Sequence, residues 1–241
     1  MLEQIETVGI TFKPAARHQE SLLAPLEKKA LIGMARRLPR WVHPDHLTLL
    51  GLMGMVLAGA CYFYSKWQPL ALVGVVFALA LNWFGDSLDG TLARVRNRQR
   101  PRYGFYVDHI VDAFGALFLI SGLGLSGYMS GTIALSLIIA YFLLSIELYL
   151  ATYATGVFRL SFGIWGPTEL RIVVALGTLY LFKKPVVNIG SGQYRLCDVA
   201  GIVTIVSLGL FTIYSVIQNT MRLSFMSPDF LSGAITLATT M

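Results

Sequence analysis

PLALVGVVFALALNWFG, residues 69–85, decides the fold. It carries no charge, and Asn82 is its one strongly polar side chain. A bilayer core of about 30 Å is crossed by about 20 apolar helical residues, because a helix satisfies its own backbone in lipid. Comparable runs lie on both sides: 47–64 before it, then about 105–128, 132–155, 167–182 and 199–217 after it. Strand-type alternation is absent, so a barrel is excluded. The expectation is an all-α polytopic membrane protein with six transmembrane helices. The 167–182 run is the shortest and carries Glu169 and Arg171 near its start.

Composition agrees. Hydrophobic residues make up 55% of the 241 positions and charged residues 13%, against roughly 25% charged in a soluble domain. Mean hydropathy is +0.64. Too few charges exist to cover a soluble surface, and too many apolar residues for disorder. Cys61 and Cys197 lie in or beside apolar runs with no metal spacing between them, which reads as packing. The first residues, MLEQIETVGITF, lack a basic start and an apolar run, so no signal peptide is expected.

Ahead of the first run, residues 19–37 (QESLLAPLEKKALIGMARR) set Leu22, Leu23, Leu26, Ala30, Leu31 and Met34 at helical spacing. Lys28, Lys29, Arg36 and Arg37 flank that stripe, which predicts an interfacial amphipathic helix starting near Ala24. An ordinary helix packed on the membrane domain is the alternative. The expected organisation is an interfacial N-terminal segment 1–42, a six-helix domain 43–222 and a tail 223–241. With six spans, 15 of the 19 basic residues share the side of both termini and of the 86–104 loop. The positive-inside rule places that side in the cytosol. The net charge of +6 is therefore read as sorting and lipid contact, not as a nucleic-acid surface.

Four of the 13 acidic residues fall within 27 positions: Asp86, Asp89, Asp108 and Asp112. Carboxylates at a membrane boundary are costly and mark functional sites. Asp86 and Asp89 share one helix face, continued by Gly90 and Ala93. Asp108 and Asp112 share a face of the next helix, with Gly104 one step earlier. If the two helices are antiparallel neighbours, the four carboxylates converge beside small residues. So many like charges need a cation, and all-oxygen ligands favour Mg²⁺, Mn²⁺ or Ca²⁺ over zinc. The small residues admit a bulky anionic ligand, and Arg94 is placed for its phosphate. A solvated acidic loop beside helix-packing contacts is the bland alternative.

The stretch DSLDGTLARVRNRQRPRYGFYVDHIVD, Asp86 to Asp112, resembles the signature of the CDP-alcohol phosphotransferases. Asp86, Asp89, Gly90, Ala93, Arg94, Gly104, Asp108 and Asp112 match its fixed positions, with nine residues between Arg94 and Gly104. The resemblance implies that a CDP-linked donor and an alcohol acceptor give a phospholipid and CMP. It implies a pair of Mg²⁺ or Mn²⁺ ions on Asp86, Asp89, Asp108 and Asp112, with Asp112 also the general base. Gly90, Ala93, Arg94 and Gly104 would hold the cytidine diphosphate, and a homodimer is expected. No Ser-His or Cys-His arrangement is visible, which favours direct displacement over a covalent intermediate.

In HPDHLTLLG, residues 43–51, Pro44, Thr48 and Gly51 match the family and Asp45 replaces its usual asparagine. Thr48 is a candidate nucleotide contact, with capping or packing as the alternative; His43 and His46 read as interface residues. Arg171, Glu169, His109 and Arg159 are candidate contacts for a substrate phosphate or acceptor, Arg171 foremost, because a cation does not suit the positive end of a helix dipole. Glu169 suits that end, as Pro167 suits a first turn. Glu147, inside a span, reads as functional or as an interhelical contact. Arg96, Arg98, Arg100 and Arg102 read as contacts to anionic lipid.

Two donor classes remain. A six-span chain with a positive mouth suits CDP-diacylglycerol with a small, anionic polar alcohol, in a prokaryotic inner membrane. Asp108-His109 and residues 152–171 resemble instead the branch that joins CDP-choline or CDP-ethanolamine to diacylglycerol. From another class, a cation transporter would place its carboxylates near mid-membrane and show inverted repeats, and neither pattern is found.

Overall fold

A computed structural model describes residues 24–155 and 166–225. The first helix, α1 (Ala24–Arg37), starts where Pro25 fits a first turn, with Glu27 at its positive end and Arg36 and Arg37 at its negative end. Its Leu31 and Ala35, together with Val42, are buried against Leu47, Leu88 and Leu92.

Among the described residues, five further helices are long and apolar enough to cross a membrane: α2 (Pro44–Tyr64), α3 (Ala71–Val95), α4 (Pro101–Leu125), α5 (Gly131–Thr155) and α7 (Leu196–Phe225). Phe77, Leu150 and Leu210 stand exposed on the outside of the bundle, as lipid-facing residues do. The protein is therefore an all-α membrane protein in its main architecture. The remaining expected span is α6 (Pro167–Tyr180), with 14 residues, about 21 Å long.

Three details differ from the sequence reading. A hairpin of β1 (Val186–Ile189) and β2 (Gly192–Arg195) joins α6 to α7. Its two-residue turn begins at Gly190, whose φ of +60° suits glycine. The 69–85 run also continues as helix to Val95, carrying Asp86 and Asp89 on it as expected, and α7 runs past 222 to Phe225.

The helix α2 is the axis of the bundle. Both α3 and α4 pack along it, and not along one another. The two carboxylate helices still bring Asp89 and Asp108 into one pocket, across the start of α2. Small residues allow the approach: a Cβ on Gly85 would lie 2.5 Å from the backbone of Gly51 and Leu47, and one on Gly122 would lie 2.1 Å from Gly59 O. On the far side, α5 packs on α7. There Glu147 accepts hydrogen bonds from Ser215 Oγ and Asn219 Nδ2, both at 2.8 Å. The interhelical reading of Glu147 holds.

The short α6 lies along α3. At one end Arg171 meets Asp86, and at the other Leu181 packs with Leu72 and Val75. Tyr62 and Thr178 share a 2.5 Å hydrogen bond near that second end. From Leu72 to Asp86 is about 21 Å along α3, the length of α6 itself.

Candidate active site

The site lies where α2 begins, α3 ends and α4 begins. Pro44 opens α2 at a position where its missing N–H costs nothing. His46 Nδ1 accepts from His43 N–H at 3.3 Å, so this histidine pair caps α2. One turn in, Thr48 donates its hydroxyl to Asp89 Oδ2 at 2.6 Å. The Gly90 N–H is directed to the other oxygen of that carboxylate. Asp89 is buried, and both Asp86 and Asp108 act on it electrostatically.

Thr48, Asp89, Gly90, Ala93, Gly104 and Asp108 line a pocket of about 80 Å³, whose rim includes Asp45, Arg98, Arg100 and Tyr103. The small residues matter here. A Cβ on Gly104 would have nothing within 4 Å, and one on Gly90 would meet only the Arg94 guanidinium, at 3.5 Å. Space is therefore kept open by residue choice. Asp45, which stands where the resembled family has asparagine, pairs with Arg100. The hydrogen bond to Asp45 raises the Arg100 pKa, and the pair offsets its own charge at the rim.

Asp86 faces α6. Its Oδ2 accepts from Arg171 Nη2 at 2.6 Å, and Arg171 Nε donates to Asn82 Oδ1 at 2.7 Å. Asn82 in turn donates to Gly51 O at 2.9 Å. Arg171 Nη1 is buried with no hydrogen-bond partner among the described residues. Asp112 is directed toward α5, within electrostatic reach of Tyr141 and Tyr149. Arg94 lies beside Gly90 and donates to Thr91 Oγ1 at 3.0 Å.

The structure thus gathers Thr48 and five of the motif residues around one pocket. Asp86, Arg94 and Asp112 stand beside it. Among the described residues, no three acidic, histidine or cysteine side chains are grouped closely enough to hold a metal ion. The oxygen donors Asp89 and Asp108, of the type that divalent cations such as Mg²⁺ take, do come from two helices into one glycine-lined pocket.

Other candidates fall elsewhere. His109 Nδ1 contacts Phe105 O at 2.5 Å, and its ring packs on Phe105 and Tyr149. Glu169 accepts from Gly166 N–H at 3.0 Å and so caps α6. Arg159 lies outside the described residues. Arg96 donates to the carbonyls of Val42, Leu38 and Pro39, and so fastens the α1–α2 elbow where lipid contact was expected. Asn82 was missed as a site residue. Its signal was visible, as a lone amide in an apolar run.

Residues 41–214, which include every residue of this site, match the CDP-alcohol phosphatidyltransferase family. The chain belongs to that family. It is 28% identical to archaetidylinositol phosphate synthase of Pyrococcus horikoshii over 139 residues, 58% of this chain and 70% of that protein. It is 38% identical to phosphatidylinositol phosphate synthase of Streptomyces avermitilis over 85 residues, 33% of this chain and 31% of that one. As a CDP-alcohol phosphatidyltransferase, the protein is a membrane phosphotransferase of phospholipid synthesis that forms a phosphodiester from a CDP-linked donor and an alcohol. The transporter alternative falls with that membership.

Proposed function

We propose that the protein transfers a phosphatidyl group from CDP-diacylglycerol to a small phosphorylated alcohol, releasing CMP. The observation that carries this reading is Arg171. A half-buried Arg171 side chain reaches the carboxylate end of α3, and its buried Nη1 has no partner among the described residues. Such a group suits a phosphate on the acceptor, since charge-assisted pairs to phosphate use the whole fork. The names of both relatives point the same way, each being a synthase of an inositol phosphate lipid.

In this reading the pocket of Thr48, Gly90, Ala93 and Gly104 takes the cytidine diphosphate, with Arg94 at a phosphate. Asp86, Asp89 and Asp108 would be the main ligands, and Asp112 a lesser one, of Mg²⁺ or Mn²⁺, two ions in all. When bound, these supply charge neutralisation at the diphosphate. Asp112 accepts the proton of the attacking hydroxyl. The new bond joins the acceptor oxygen to the phosphatidyl phosphorus, and the bond from that phosphorus to CMP breaks. Arg171 holds the acceptor's phosphate so that its hydroxyl stays in line.

The same reading takes α6 as the sixth crossing and α1 as lying in the interface. Both termini and the site face the cytosol of a prokaryotic inner membrane, in a homodimer. The test is CMP release from CDP-diacylglycerol with matched phosphorylated and unphosphorylated polyols. Turnover with the phosphorylated member only is expected; equal turnover with both removes the role given to Arg171.

A further inference from the structure

Glu27 sits in the first turn of α1, outside the matched family region. Its Oε1 accepts three hydrogen bonds: from Trp83 Nε1 at 2.8 Å, Ser87 Oγ at 3.2 Å and Thr168 Oγ1 at 2.9 Å. Trp83 and Ser87 lie one turn apart on α3, and Ser87 adjoins Asp86. Thr168 opens α6, one turn before Arg171. A single carboxylate oxygen therefore ties the ends of α3 and α6 together at the point where Arg171 crosses to Asp86.

The rest of α1 fixes that oxygen in place. Leu31 and Ala35 are buried against Leu88 and Leu92 of α3, so α1 rides on α3 and reaches α6 through Glu27. A carboxylate at a helix start is already favourable, and an α1 cap alone would need none of these donors. The nucleotide pocket draws its lining from α2, α3, α4 and the loop between α3 and α4, and nothing from α6.

We infer that Glu27 is a positioning residue for the acceptor half of the site, holding the start of α6 on α3 so that Arg171 stays against Asp86. This rests on the reading of Arg171 as the anchor of the acceptor's phosphate. It predicts an asymmetry that a purely structural role would not produce: the acceptor side loosens while the donor side stays as it was.

The experiment uses the full chain, with the donor and a phosphorylated polyol varied separately. Glu27→Ala is expected to raise the acceptor KM about tenfold, the size of one lost hydrogen bond to a charged group, with donor KM within about twofold. Glu27→Gln keeps an amide oxygen that accepts the same donors, and should restore the acceptor KM to within about threefold of the original protein. Thr168→Val removes only the α6 contact and should reproduce most of the rise. The double variant Glu27→Ala/Thr168→Val should be no worse than Glu27→Ala alone, because both break one linkage. If Glu27→Ala does not fold, Thr168→Val carries the same test. Parallel rises in both KM values, or a lower kcat with both KM values unchanged, would overturn the inference. The unsubstituted protein separates the two layers. If it shows no preference for a phosphorylated acceptor, the Arg171 reading fails and takes this inference with it. If the preference is present and the Glu27 asymmetry is absent, only the inference about Glu27 fails.

Discussion

Arg171 Nη2 donates to Asp86 Oδ2 at 2.6 Å while Nη1 of the same guanidinium is buried without a partner among the described residues. The pair joins the proposed anchor of the acceptor's phosphate to the carboxylate end of α3 in one contact. Arg171→Lys keeps the charge and loses the fork. It should raise the KM for a phosphorylated acceptor about tenfold, and Arg171→Ala about a hundredfold, on the scale of one or two charge-assisted hydrogen bonds. Steady-state kinetics with the donor varied separately check this, since the donor KM should barely move.

The carboxylates separate by role. Asp112→Asn should cut turnover about 10²- to 10⁴-fold, the usual worth of a general base, with metal and CDP binding largely intact. Asp86→Asn, Asp89→Asn and Asp108→Asn should each weaken metal binding as well. Calorimetric titration with Mn²⁺, beside turnover at saturating metal, distinguishes them. Near-normal turnover in Asp112→Asn would remove the base assignment.

Two glycines should behave in opposite ways. A Cβ on Gly59 would lie 2.3 Å from Phe118 O, a backbone atom that cannot step aside. Gly59→Val should therefore destabilise the bundle by about 1–3 kcal/mol, as overpacking does, and lower the thermal midpoint in detergent. A Cβ on Gly104 meets nothing within 4 Å. Gly104→Val should fold with an undiminished midpoint, yet raise the donor KM by filling the pocket.

Topology is testable at two positions. In a background lacking Cys61 and Cys197, a cysteine at Arg98 should react only with a membrane-permeant reagent. One at Ser191, in the turn of the hairpin, should react from outside. External labelling at position 98 would reverse the orientation.

The helices were legible because long apolar runs have one solution in lipid, and the site was legible because Asp86, Asp89, Asp108 and Asp112 repeat at helical spacing. Spacing gives a face, however, and not what the face meets. Nothing in the Asp86–Asp112 stretch says that α2 lies between α3 and α4; that depends on Gly51, Gly59, Gly85 and Gly122 allowing backbones to touch. The links Glu27–Thr168, Arg96–Leu38 and Arg171–Asn82 join residues far apart in the chain, which no local pattern records. The hairpin was missed because four-residue strands barely show an alternation.

The central claim is the direction of transfer, and product identity tests it most directly. Purified protein with Mg²⁺ or Mn²⁺ is given radiolabelled CDP-diacylglycerol with a phosphorylated polyol, and separately radiolabelled CDP-choline with diacylglycerol. The account predicts labelled phospholipid and CMP from the first mixture only. Labelled lipid from the CDP-choline mixture alone would contradict it.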